Sequence, residues 1–151
     1  SGIAVDAVSA LILCCSWLCL LLSYSKLPET IPTHFDLTGG ADAFGEKVQL
    51  FYVLSIGTIV FIGIYILNFF PHKLNLVTSV TEESAVYQYT IAQNAMRFIN
   101  LALAITFSYL SAKSVYNALN GAVNLDPWMT PAILVLLFAP LVYYFMQSAK
   151  C

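Results

Sequence analysis

Charge is what this sequence has least of. Asp, Glu, Lys and Arg together make up 9% of its 151 residues, whereas a soluble domain carries about 25%. So few charges cannot solvate the surface of a globular domain of this size, so the solvent of the chain is lipid. Basic residues are scarcer than acidic ones, six against eight, for a net charge of −2. No basic stripe exists to neutralise phosphates, which excludes nucleic acid as a partner. The four cysteines build no disulfide framework and no CxxC metal pair. Cys14, Cys15 and Cys19 fall inside an apolar run and read as small apolar fillers, and Cys151 is the last residue. Only two histidines occur, His34 and His72, and neither belongs to an HExxH or other metalloenzyme pattern.

What is abundant is hydrocarbon, at 60% of the residues. It is gathered into four apolar segments, near residues 3–24, 48–70, 91–117 and 130–146. Three reach the roughly 20 residues that a spanning helix needs, and the fourth sits at the low end of that range. The fourth also contains Pro140, which a membrane helix tolerates because its neighbours satisfy the freed carbonyl. The expected fold is therefore all-α, a polytopic integral membrane four-helix bundle forming one domain. The first segment has no basic flank and no small-x-small cleavage site, so it reads as a retained span rather than a signal peptide. Ser1-Gly2 reads as a processing or tag scar.

The third segment runs long. Ser79-Val80-Thr81-Glu82 fits a capping box, and no Pro or Gly follows until Gly121. After the loop at 71–80, a helix from about Thr81 to Leu119 would measure about 57 Å, more than the ~30 Å hydrocarbon core. Its first turns, from Glu82 to Gln93, are expected outside the lipid or in the headgroup layer. Arg97 and Lys113 are about 24 Å apart on such a helix and are placed to snorkel to opposite headgroup layers. The sharper alternative sets Arg97, with Asn94, against a polar cavity between helices. Asn94, Arg97, Leu101, Ala104, Ser108 and Ser111 share one helical face. Packing against another helix accounts for the last three. Trp128, beside Asp126-Pro127, reads as an interfacial anchor at the start of the last helix.

Four spans put both termini and the 71–84 loop on one side of the membrane, and the 27–47 loop and the 120–129 turn on the other. Basic residues nearly balance between the sides. The orientation adopted has cytoplasmic termini in a cell inner membrane, with the first loop outside.

That first loop, Leu27 to Lys47, reads LPETIPTHFDLTGGADAFGEK and is a polar island in an apolar chain. Pro28 and Pro32 favour an extended path, and Gly39-Gly40 and Gly45 mark tight turns, so the loop is expected to be ordered. In an extended strand His34 and Asp36 point the same way. His34, Asp36, Asp42 and Glu46 offer imidazole and carboxylate to a divalent cation, but without the spacing of any known metal site. The local-structure alternative has Asp42 capping the turn and Lys47 pairing with it or with headgroups. No metal and no cofactor is assigned. No nucleophile–base pair is legible either, so no catalytic residue is assigned.

The same residues resemble a bacterial membrane domain of unknown function shared with the Sdp-type toxin immunity proteins, the SdpI-like family. Its hallmark, P-x-x-I-P-x-H-[FW]-[ND]-x-x-G-x-x-D-x-[WFY]-x-x-K, is matched in order by Pro28, Ile31, Pro32, His34, Phe35, Asp36, Gly39, Asp42, Phe44 and Lys47. A looser second motif takes in Pro71, Asn75, Thr81-Glu82-Glu83 and Tyr89 and continues to Arg97, with Ser84 where the family often has Asn. The resemblance implies a polytopic membrane protein. Its studied branch protects producer cells from a secreted peptide toxin, but carries further helices that this chain lacks. The pattern also admits Asn at the Asp36 position, which counts against a metal ligand there.

The expected function is accordingly non-enzymatic recognition at the membrane, as a toxin-immunity or sensor module. A peptide toxin or a lipid is its expected ligand. The candidate ligand-binding residues are His34, Asp36, Asp42 and Lys47, with Asn94 and Arg97 as a second group. The alternatives are a small transporter or flippase with a polar path near Arg97, and a metal-dependent lipid-modifying enzyme. Oligomeric state is not legible.

Overall fold

The computed structural model describes residues 2–74 and 76–150. Ser1 and Cys151 lie outside the described residues, as does Asn75, and with it one position of the second motif. Four α-helices carry the chain: α1 (Gly2–Ser23), α2 (Gln49–Leu67), α3 (Ala85–Asn120) and α4 (Met129–Ser148). All four are long and apolar enough to cross a membrane, and the protein is an all-α, multi-pass membrane bundle. Lipid offers the backbone no hydrogen-bond partner, and a helix satisfies its N–H and C=O groups within itself.

Helix α3 is the hub. Each of the other three packs principally against it, while α1 and α2 touch one another far less. Burial along its middle alternates, with Ala102, Ala104, Thr106 and Ser108 all buried. At 100° per residue, alternate positions fall on opposite sides of a helix, so α3 is sandwiched. Asn100 on one side donates to the Phe61 carbonyl of α2 at 3.1 Å. Because lipid tails are as apolar as leucine, the packing is driven by close approach of small residues rather than by removal from water. The tightest approach is at Gly57 of α2, where a Cβ atom would stand 2.6 Å from Cγ and 2.8 Å from Cβ of Phe107.

At 36 residues, α3 is about 54 Å long and outruns the hydrocarbon core. It begins at Ala85, four residues later than expected. The Ser79–Glu82 capping box does not form. Thr81 and Ser84 bond one another instead, the Ser84 N–H donating to Thr81 Oγ1 at 3.2 Å and the Ala85 N–H to the Thr81 carbonyl at 2.9 Å. The helix ends at Gly121, whose φ of +66° is left-handed and whose N–H donates to the Asn117 carbonyl. Only glycine adopts that backbone without cost.

Between α1 and α2 the chain forms an antiparallel hairpin, β1 (Thr30–Phe35) and β2 (Ala41–Glu46). Ile31 is fully buried and anchors the hairpin in the bundle, packed with Leu20, Leu27, Leu50, Leu54 and Val115 from α1, α2, α3 and the hairpin's own approach. The hairpin also reaches the α3–α4 turn. The Leu125 N–H donates to the Gly39 carbonyl at 2.7 Å, and the Ala41 N–H to the Val123 carbonyl at 3.0 Å. The hairpin and the α3–α4 turn therefore share one end of the bundle. At the other end the first turns of α1 and the last of α4 flank the first half of α3, where Tyr87 meets Gln147 at 3.1 Å.

The Gly57 contact yields a stability test. Gly57→Ala should push α2 off Phe107 and lower stability by about 1–3 kcal/mol, the usual cost of overpacking. Gly63→Ala, where no heavy atom lies within 4 Å, should be neutral or slightly stabilising. Thermal unfolding of both variants in the same detergent checks this.

Candidate functional site

The hairpin's register explains where its polar residues go. Pro32 pairs with Phe44 and His34 with Ala43, so Thr33 is extra on β1; Phe35 pairs with Ala41, so Asp42 is extra on β2. Two such irregularities bend the ribbon and re-aim its side chains. They bring His34 Nδ1 to 2.5 Å from Asp42 Oδ1. The turn between the strands belongs to Asp36. Its Oδ1 accepts from Thr38 Oγ1 at 2.6 Å, from the Thr38 N–H at 2.8 Å and from the Gly40 N–H at 3.0 Å. Gly39 completes that turn with φ +88°, a conformation open to glycine.

Several expectations are corrected here. Asp36 rather than Asp42 caps the turn, and it stands beyond the end of β1 rather than beside His34 on one face of a strand. Lys47 pairs with Glu29 rather than with Asp42. Its ammonium lies 2.9 Å from Glu29 Oε1, donates to the Leu27 carbonyl at 3.3 Å and sits 5.0 Å from the centre of the Tyr24 ring. Lys47 thus ties off the base of the hairpin. His34, Asp36, Asp42 and Glu46 do not converge. Among the described residues no group of three or more His, Cys, Asp or Glu is placed to hold a metal ion.

The Asp36 carboxyl is held below the usual carboxylate range, first by the Thr38 hydroxyl and further by the Thr38, Gly39 and Gly40 backbone. At neutral pH it is an anion with Oδ1 engaged three times. Oδ2 takes part in no hydrogen bond among the described residues.

Beneath the hairpin lies a cavity of about 310 Å³ between α2, α3 and α4. His34, Asp36 and Thr33 line its hairpin side, and Val53, Leu110 and Ile133 its helical side. A second cavity of about 150 Å³ adjoins it and shares Thr33, Val53 and Ser114. Ser114, on α3, is only 5% exposed and had no place among the sequence candidates. The signal for it was the small-residue face of α3, which ran one turn further than Ser111.

The second group is placed differently. Arg97 Nε donates to Asp6 Oδ2 of α1 at 3.2 Å, with both side chains largely buried. Its guanidinium lies against Gly2, where a Cβ would come within 2.4 Å of Nη1. With the Asn68 amide oriented to satisfy its surroundings, its oxygen also accepts from Arg97 Nε at 3.1 Å. Arg97 is therefore an interhelical ion-pair partner rather than a free snorkelling cation. Lys113 is likewise paired, to Asp126 at 3.0 Å, and its bond, with that of Tyr109, holds the Asp126 carboxyl below the usual range. Asn94 is half-buried and joins none of these bonds. Asp6 and Asp126 were the residues missed. Each lies far in sequence from its partner, and nothing short of the fold brings them together.

Fold and site together define a class: a multi-pass helical membrane protein whose first inter-helix loop is an ordered hairpin roofing a small amphipathic cavity. Residues 11–59 match the family described as a domain of unknown function, DUF1648. The match takes in the second half of α1, the whole hairpin and the first half of α2. An uncharacterised protein of Archaeoglobus fulgidus is 28% identical over 160 aligned positions, covering 97% of this chain and 86% of its own length. No solved structure matches.

Two tests follow from this geometry. Because the Asp36 pKa is depressed in the folded hairpin, the stability it lends is present above the unfolded value of about 3.9 and is lost as pH falls through the folded value. Protection of the Thr38 and Gly40 amides, measured as exchange relative to the unfolded-chain rate at the same pH, should hold at neutral pH and be lost only below about pH 4. For the ion pair, Asp6→Ala or Arg97→Ala alone leaves one charge uncompensated. Each should cost about 1–3 kcal/mol, and the double variant clearly less than their sum. Denaturation in detergent reads that cycle.

Proposed function

We propose that this chain is a non-enzymatic recognition module of the membrane, and that its ligand, a peptide or a lipid, meets the hairpin and the cavity beneath it. The observation that carries the reading is the cavity itself. Polar groups of the hairpin line one side of a pocket whose helical walls are mostly apolar, with Ser114 and Thr130 set among them, which is the usual construction of a binding site. The residues proposed to act are His34, Asp36 and Asp42. Lys47, engaged with Glu29 and Tyr24, serves to hold the hairpin in place.

Within that reading, membership of the SdpI-like group and a role in toxin immunity or sensing are the specific proposal. Its support is the ten-position match of the hairpin to the hallmark of that group. In the orientation we adopt, with cytoplasmic termini in the inner membrane, the hairpin faces outward, where a secreted peptide would arrive. A transport path at Arg97 has less to carry it, because Asp6 already occupies the guanidinium.

Survival of a toxin-sensitive host tests the proposal. Expression of the chain should protect against at least one of a panel of secreted bacterial peptide toxins, and His34→Ala and Asp42→Ala should each reduce protection at equal membrane abundance. Failure of the inserted protein to protect against any of them would sink the immunity role.

A further inference from the structure

Three features of the hairpin cavity narrow its ligand beyond the peptide-or-lipid reading, on which this inference rests. The first is charge. Neither cavity is lined by any Lys or Arg, while Asp36 contributes an anion with one oxygen, Oδ2, free. A bare phosphate or carboxylate headgroup would meet a like charge, with no Lys or Arg to offset it.

The second feature is the set of hydroxyl groups. Thr33, Ser114 and Thr130 all line the main cavity, and none of their side chains makes a hydrogen bond among the described residues. Ser114 is 95% removed from solvent by its 5% exposure, and it borders both cavities. Its hydroxyl is open to the cavities rather than sealed in the helix contact, so a group that enters either of them can exchange hydrogen bonds with it. Hydroxyls both donate and accept, and a carboxylate accepts only. Together they suit a ligand rich in hydroxyl groups of its own.

The third is the way in. Helices α2 and α4 pack principally on α3 rather than on one another, so the cavity opens sideways between them. Its α4 wall includes Leu134, which is 50% exposed on a surface that faces hydrocarbon. At about 310 Å³, the space is at the low end for a ligand pocket. It admits one headgroup, placed at the water-exposed edge where His34 and Asp36 stand, with the start of a chain directed toward the bilayer.

We infer that the hairpin cavity binds a lipid with an uncharged polyol or sugar headgroup. The headgroup lies under the hairpin, donating to Asp36 Oδ2 and exchanging hydrogen bonds with Ser114, and its chain runs out between α2 and α4.

Native mass spectrometry of the full chain released from polyoxyethylene detergent micelles tests this. A monoglucosyl diacylglycerol, a phosphatidylglycerol and a phosphatidylethanolamine of identical chains are offered at equal ratio. The glucosyl lipid should be retained at least about threefold over either phospholipid, the equivalent of one net hydrogen bond. Asp36→Asn puts an amide donor or a weaker acceptor in place of the free carboxylate oxygen and should bring the preference close to parity. Ser114→Ala, which removes a hydroxyl without adding bulk, should weaken it. Equal or better retention of either phospholipid, or a preference that both variants leave intact, overturns the assignment. That failure is separable from failure of the recognition reading, because host survival is scored in cells whichever lipid is retained.

Discussion

Everything in this structure depends on one long helix having something to hold on each of its sides. In lipid the hydrophobic effect does not press helices together, so α3 must recruit its neighbours by close fit and by a few polar bonds. Its middle supplies the fit, with small residues such as Ala104, Ser108 and Ser111 buried against its neighbours. Positions on either side of that stretch supply the ion pairs. Arg97 pairs with Asp6 of α1, and Lys113 with Asp126 at the approach to α4. The two cations stand about 24 Å apart along the axis, close to the thickness of the hydrocarbon core, so each pair sits where ionised groups are tolerable.

That arrangement leaves α2 and α4 apart at one end, and the hairpin covers the gap. It is held by Ile31 in the apolar cluster, by Lys47 at its base and by backbone bonds from Gly39 and Ala41 to the α3–α4 turn. The hairpin is thus a fixed part of the bundle's end, and the polar residues at its tip have defined positions over the cavity.

The helices were legible because a run of twenty apolar residues has few other solutions. The hairpin was legible as an ordered, punctuated loop, but its register was not. Two offset irregularities, at Thr33 and Asp42, decide that His34 faces Asp42 and leave the turn to Asp36, and no spacing rule on one strand shows them. The start of α3 was misread because Ser79 and Glu82 satisfy a capping pattern that Thr81 and Ser84 pre-empt one turn later. Arg97 and Lys113 stood out in the sequence as cations reaching for opposite headgroup layers. Their partners lie 91 and 13 positions away, and only tertiary structure makes them neighbours. Ser114 had no motif at all, and its interest comes from the cavity it borders.

The central claim is that the hairpin and the α3–α4 turn form one end of the bundle, with the 71–84 loop at the other. Side-specific labelling of single cysteines tests it most directly. Cysteine is introduced at Leu37, Val123 or Val77, all exposed positions, in a chain freed of Cys14, Cys15, Cys19 and Cys151. The account predicts that Leu37→Cys and Val123→Cys react with a membrane-impermeant thiol reagent from one side, and Val77→Cys only from the other. Labelling of Leu37→Cys and Val77→Cys from the same side would contradict it.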